Sequence, residues 1–215
     1  LAPSSVLARN DLYRNPRDAG QFAPQGALCG ARCEQFRLAD WSEAIGQCAV
    51  GIRIGVIDTG VEPGHPSLAG AKLTLMTARS DDRPSSDKDH GTAVVSLLVG
   101  QPGTDVAGLV PAATILAADA FHGEGAASRA DAFDLIKALD WLLAQNVNVI
   151  NLSLSGPDNA LLKLVIESAV QRGISIVAAS GRPERSNQTG YPARYPGVVA
   201  VGAVDQRLRS SRLST

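Results

Sequence analysis

Two side chains in this sequence are of the types that together can take a proton from a third group and return it. Asp58 stands in Val56-Ile57-Asp58-Thr59-Gly60, and His90 stands in Asp89-His90-Gly91-Thr92-Ala93. An acid at the end of a buried apolar run is costly to desolvate without a partner. Taken singly, such an aspartate commonly caps a turn, and a histidine at a helix start is commonly structural. Taken together they can do chemistry. A carboxylate that accepts from one ring nitrogen fixes the imidazole tautomer. The other nitrogen can then take a proton from a nucleophile and later return it to a leaving group.

The elements that must hold them can be read from apolar patterning. Five short runs read as buried strands: Ile52–Ile57, Thr114–Ala118, Val147–Leu152, Ile174–Ala179 and Val198–Val204. Helical stretches lie between them. His90 opens one that carries Ala93, Val94, Leu97 and Leu98 and ends at Gly100. Asp131–Ala144 places Phe133, Ile136, Leu139, Leu142 and Leu143 on one stripe, and Leu161–Arg172 does the same before Gly173 caps it. Buried strands alternating with amphipathic helices predict an α/β fold with a mainly parallel sheet covered on both faces. In such sheets the site lies past the carboxyl ends of the strands. Asp58-Thr59-Gly60 leaves one strand there. Ser153-Leu154-Ser155-Gly156 leaves another, with open backbone that an extended peptide could join as an added strand. Ala179-Ser180-Gly181 leaves a third, with room for a substrate side chain, and Tyr191-Pro192 can carry a cis bond in a tight turn.

Composition limits the remaining classes. The 215 residues are 45% hydrophobic and only 4% aromatic, so small aliphatic side chains must fill one sizeable core. Twenty basic residues balance 21 acidic ones, which removes any general attraction to nucleic acid or an anionic membrane. No apolar run is long enough to span a bilayer. Residues 1–48 read as an irregular N-terminal arm, with one short helix over Phe36–Ile45, and residues 49–215 as the main domain. The chain opens on Leu1 and reads as processed or trimmed, with no targeting segment. Cys29, Cys33 and Cys48 have no nearby histidine, which makes zinc a poor reading of them. One local disulfide with one free thiol is favoured over three buried thiols, and with it a secreted or periplasmic location.

Four segments, in order and at these spacings, resemble the subtilase family of subtilisin-like serine proteases. Val56–Gly60 is similar to its V-[IV]-D-[ST]-G, His90–Thr92 to its H-G-T, and Val149–Gly156 to its V-I-N-[ML]-S-[LF]-G-G. Gly190–Val204 is similar to its G-Y-P-x-x-Y-P-x-V-[IV]-A-V-G-A-V, and Gly108–Ala112 to its G-V-A-P-x-A turn. The likeness runs from about Gly51 to Asp205. It implies a three-layer subtilisin-like fold whose C-terminal part is missing here. It implies a serine endopeptidase in which Asp58 orients His90 and His90 serves as base and then acid. Ser153, Leu154, Ser155 and Gly156 would bind substrate backbone, while Ala179, Ser180 and Gly181 would wall a specificity pocket. The implied partners are a polypeptide substrate and a propeptide or the missing C-terminal segment, with no nucleic acid and no membrane span. No cofactor is required, although many members of the family bind calcium.

Two departures from the family pattern stand out. No segment matches G-T-S-x-[AS], where the family keeps its nucleophile, so this chain by itself is expected not to form an acyl-enzyme. At the oxyanion position, where the family usually has asparagine, stands Arg182; Asn187 is the nearby alternative donor. A protease-like module that binds peptides without cutting them is therefore the second reading. A dinucleotide enzyme is disfavoured because Asp-Thr-Gly-Val-Glu-Pro, not G-x-G-x-x-G, follows the first strand. A paired-aspartate protease is disfavoured because there is one D-T-G and the pattern is α/β. His65 reads as a loop residue and His122 as exposed, neither with the spacing of a metal ligand. Asp81, Asp82, Asp87 and Asp89 read as solvated loop carboxylates rather than a calcium loop.

Overall fold

The computed structural model describes residues 12–13, 49–123, 128–181, 190–204 and 209. The three cysteines, the Phe36–Ile45 segment, Arg182 and Asn187 lie outside the described residues. Among the described residues, no helix is long and apolar enough to cross a membrane.

Six parallel strands form the main sheet: β2 (Arg53–Asp58), β3 (Lys72–Thr77), β4 (Thr114–Asp119), β7 (Val149–Leu152), β8 (Ser175–Ala179) and β9 (Val198–Val201), in the order β3-β4-β2-β7-β8-β9. A small antiparallel sheet joins β1 (Leu12–Tyr13), β6 (Arg129–Asp131) and β5 (Phe121–His122), in the order β1-β6-β5. Three α-helices, α1 (Asp89–Val99), α2 (Ala132–Ala144) and α3 (Ala160–Gln171), and a short 3-10 helix (Pro66–Leu68) complete the described elements.

Side-chain alternation along the central strands sorts the core into two layers. Ile54 and Val56 of β2 join Ile115 and Ala117 of β4 and Val95 and Val99 of α1 on one face. Ile57, Leu116, Ala118 and Ile150 turn the other way, onto Leu135, Leu139 and Leu142 of α2 and Leu162 and Ile166 of α3. This is a helix–sheet–helix sandwich, and it explains why its central strands are apolar on both faces. Gly55 lets α2 approach closely: a Cβ there would fall 2.8 Å from Leu142 Cδ1.

Several sequence expectations shift by a residue or two, and some fail outright. Strand β3 was not anticipated. It is the edge strand, and Lys72, Thr74, Leu75 and Thr77 are exposed along it, so no buried apolar run marks it. The short strands β5 and β6 were likewise missed. Phe133 does not join the buried stripe of α2. It is 69% exposed, and the buried face runs through Ala132, Leu135, Ala138, Leu139 and Leu142. His122 is not exposed: it is 3% accessible, because β5 folds back antiparallel on β6 beneath Ser85.

Candidate active site

From the central strand β2 the chain first fills the sheet on one side, with β3 and β4, then on the other, with β7, β8 and β9. Strand exits on either side of such a reversal leave a crevice. The register aligns them: Ile57 pairs with Leu152, and Leu152 with Ala178. Asp58, Ser153 and Ala179 therefore leave three neighbouring strands in a row.

Asp58 is 1% exposed. Its Oδ1 accepts from the Thr59 N–H at 2.6 Å and lies 2.7 Å from His90 Nδ1. An ionised carboxylate can only accept, so Nδ1 is the donor in this contact and Nε2 is left clear of it. The ring is 21% exposed, between a buried acid and open space.

The two motifs that carry these residues are cross-braced. Thr59 Oγ1 accepts from the Gly91 N–H at 2.9 Å, and Thr92 Oγ1 accepts from the Glu62 N–H at 2.8 Å. Each motif's threonine thus holds the backbone of the other loop. Gly91 permits the approach: a Cβ there would sit 2.3 Å from the Thr59 carbonyl oxygen and 2.6 Å from that of Gly60. The glycine after His90 is required by close backbone contact, and its φ is not in the left-handed region.

A second acid backs this corner. Asp119 pairs in register with Asp58 on the adjacent strand. Ser86 Oγ accepts from the Gly60 N–H at 3.1 Å and donates to Asp119 Oδ1 at 3.0 Å. Burial pushes the Asp119 carboxyl above the usual aspartate range, against the opposing pull of Ser86, the Phe121 N–H and Arg79. A cleft of about 290 Å³ opens beside Thr59 and Gly60, with Lys88 and Asp119 as its charged walls.

The other predicted residues gather on the far side of the row. Ser155 lies against the Gly181 turn, where φ is +89° and a Cβ would come 3.1 Å from Ser155 Oγ. Gly156 exchanges both backbone hydrogen bonds with Tyr191, at 2.8 and 3.0 Å. Its N–H and C=O are thus already committed, and Leu154 is fully buried, so Ser153 and Ser155 offer the accessible polar edge. Asn151 Nδ2 donates to Ser153 Oγ at 2.9 Å. Ser180 takes the Val201 carbonyl through its N–H and the Gly190 N–H through its C=O, which ties β8 to both β9 and the Gly190 turn. The Tyr191–Pro192 bond is cis, as its position in a tight turn allowed. Tyr195, which the sequence reading passed over, anchors the base of this wall. Its hydroxyl donates to Asp158 Oδ1 and accepts from the Asn159 N–H, each at 3.0 Å, and burial pushes its acidity far down.

The model of the subtilase family matches residues 49–215. The chain belongs to the subtilase family. Subtilisin E of Bacillus subtilis (strain 168) is 32% identical over 170 residues, covering 76% of this chain and 44% of its own length. The major intracellular serine protease of the same organism is 30% identical over 174 residues, covering 76% of this chain and 54% of its own. The chain thus spans about half the length of these two relatives. Among solved structures, the patellamide maturation protease PatA superposes with a TM-score of 0.66 at 28% identity, over 77% of this chain and 61% of that one. Subtilase members are serine peptidases, and the parallel sheet with flanking helices is the fold this family shares.

Among the described residues, the acidic side chains of the 81–89 loop do not converge: Asp81, Asp82 and Asp89 are exposed and Asp87 is half-buried. One group of ligand-type side chains does come together, and it includes His122, which the sequence reading set aside.

Proposed function

We propose that this subtilase chain supplies the acid and base of a serine endopeptidase, Asp58 orienting and His90 transferring the proton. The observation that carries the reading is the 2.7 Å contact between Asp58 Oδ1 and His90 Nδ1, made by a buried carboxylate and a partly open ring. In the reaction, Nε2 would take the proton of a serine hydroxyl as its oxygen attacks the scissile carbonyl. The imidazolium would be held by Asp58 and would return the proton to the leaving amine. A polypeptide substrate would lie extended along Ser153–Ser155, with one side chain directed between that edge and the Ala179-Ser180-Gly181 wall. The serine would come from a Gly-Thr-Ser segment that these 215 residues do not contain. Val199, Val201 and Val204 are about half exposed on and beside β9, a surface suited to further polypeptide such as that segment or a propeptide. Calcium, which many subtilases bind, takes six to eight oxygens, and the carboxylates of Asp81, Asp82, Asp87 and Asp89 do not group together among the described residues.

The second reading, a peptide-binding module without turnover, draws on Arg182 at the oxyanion position. One experiment separates the two. A serine-directed phosphonate is applied to the full-length gene product, and peptide hydrolysis is followed with and without His90→Ala. Single labelling, and a loss of about 10⁴-fold or more in kcat for the variant, is the expected result. Peptide binding with neither labelling nor turnover would replace the peptidase reading with the binding one.

A further inference from the structure

Away from the Asp58–His90 corner, three ionisable side chains meet where β5, β6 and α2 join. One ring nitrogen of His122 and one carboxylate oxygen each of Asp131 and Asp134 all lie within 4.8 Å of one another. They are 3, 4 and 3% exposed. Like charges this close and this buried need a compensating cation. Arg83 supplies part of it, 3.3 Å from Asp131 Oδ2 with its own side chain 42% exposed, and Arg129 Nε donates to His122 Nε2 at 3.4 Å.

Two features separate this group from an ordinary helix start. Asp131 is the N-cap of α2 and Asp134 lies in its first turn, where carboxylates normally accept from the free backbone N–H groups. Asp131 makes no such cap bond. Second, the cluster holds donor atoms with nothing to bind. His122 Nδ1 and Asp134 Oδ2 are both buried and have no hydrogen-bond partner. A buried polar atom left unsatisfied costs on the order of 1–3 kcal/mol, and two in one cluster call for an occupant.

We propose that His122, Asp131 and Asp134 bind a divalent transition-metal ion, with zinc as the reference ion. Even at the 4.8 Å limit, a point exists within about 2.8 Å of all three ligand atoms, so a small inward movement reaches zinc–ligand distances of about 2.0–2.2 Å. An imidazole with two carboxylates suits zinc or a neighbouring first-row ion better than calcium, which takes six to eight oxygens. The outer partners of the carboxylates are in place: Ser80 Oγ donates to Asp134 Oδ1 at 3.0 Å, and Arg83 holds Asp131. The ion's role would be mechanical. Ser80, Arg83 and the Ser85–His122 bridge attach the 80–86 loop to the cluster, and Ser86 at the end of that loop holds the Gly60 N–H.

The test is equilibrium dialysis of the purified full-length protein against zinc, with cobalt(II) substitution to read the donor set. The expected result is one tightly bound ion, a cobalt spectrum without thiolate charge transfer, and a zinc-dependent rise in Tm. His122→Gln and Asp134→Asn should each weaken binding by at least about tenfold. Absence of bound zinc, a thiolate-type spectrum from Cys29, Cys33 or Cys48, or undiminished binding in both variants would overturn the proposal. Asp134→Asn keeps the side-chain shape, so it decides the matter if His122→Gln fails to fold.

Discussion

The two ends of the strand-exit row are held by different means. At the Asp58–His90 end, backbone meets backbone: Gly91 sits against the carbonyls of Thr59 and Gly60, and threonine hydroxyls clamp the N–H groups of the opposite loops. At the Ser155–Gly181 end, backbone pairing between Gly156 and Tyr191 is joined by side-chain packing, with Ser155 wedged beside Gly181 and Gly190 and the Tyr195 hydroxyl holding the turn before α3. The difference follows from what each end must do. Proton transfer depends steeply on position, and misplacement by about 1 Å can cost on the order of 100-fold in rate. A wall that accepts different peptides can tolerate adjustment.

Substitutions at matched positions would break or sharpen this contrast. Gly91→Ala should have the largest effect, because the new methyl meets two carbonyl oxygens that cannot turn aside. We expect a loss of about 3 kcal/mol or more in stability by urea denaturation. In the full-length peptidase we expect at least about a 100-fold fall in kcat. Thr59→Val keeps the shape but removes the acceptor for the buried Gly91 N–H, and should cost about 1–3 kcal/mol in the same assay. Gly190→Ala should be the mildest. Its methyl would meet one atom, Ser155 Cβ at 2.9 Å, against two carbonyl oxygens at 2.3 and 2.6 Å for Gly91, so a loss of at least about 1 kcal/mol is expected, with KM raised and kcat nearly unchanged. Equal losses at Gly91 and Gly190 would erase the distinction between the two ends.

What the sequence made readable followed burial. Asp58 and His90 could be paired because one ends an apolar strand and the other starts an apolar helix, and β4, β7 and β8 declared themselves by the same runs. Strand β3 did not, because an edge strand half in water carries Lys72 and Thr74 where a central strand carries valine. His122 was misread for a related reason. Its burial comes from a short antiparallel return that brings Asp131 and Asp134 beneath it, and two- and three-residue strands leave no periodicity. Phe133 misled in the opposite direction, since an apolar residue in the first turn fell on the outer side of α2. The cross-bracing threonines were visible as letters, but only the fold shows which loop each one grips.

Among the described residues, the hydrogen bonds that brace the acid–base corner lie between Asp58 and Asp119, on β2 and the loop after it, the loop before α1, α1 and β4. Closing contacts over so short a stretch costs little chain entropy. During synthesis this corner can therefore assemble as soon as β4 has left the ribosome, well before β7, β8 or the peptide-binding wall has been made. The acid–base corner would then be a template on which later strands dock, and errors in its bracing would lower the yield of folded protein as well as slow turnover.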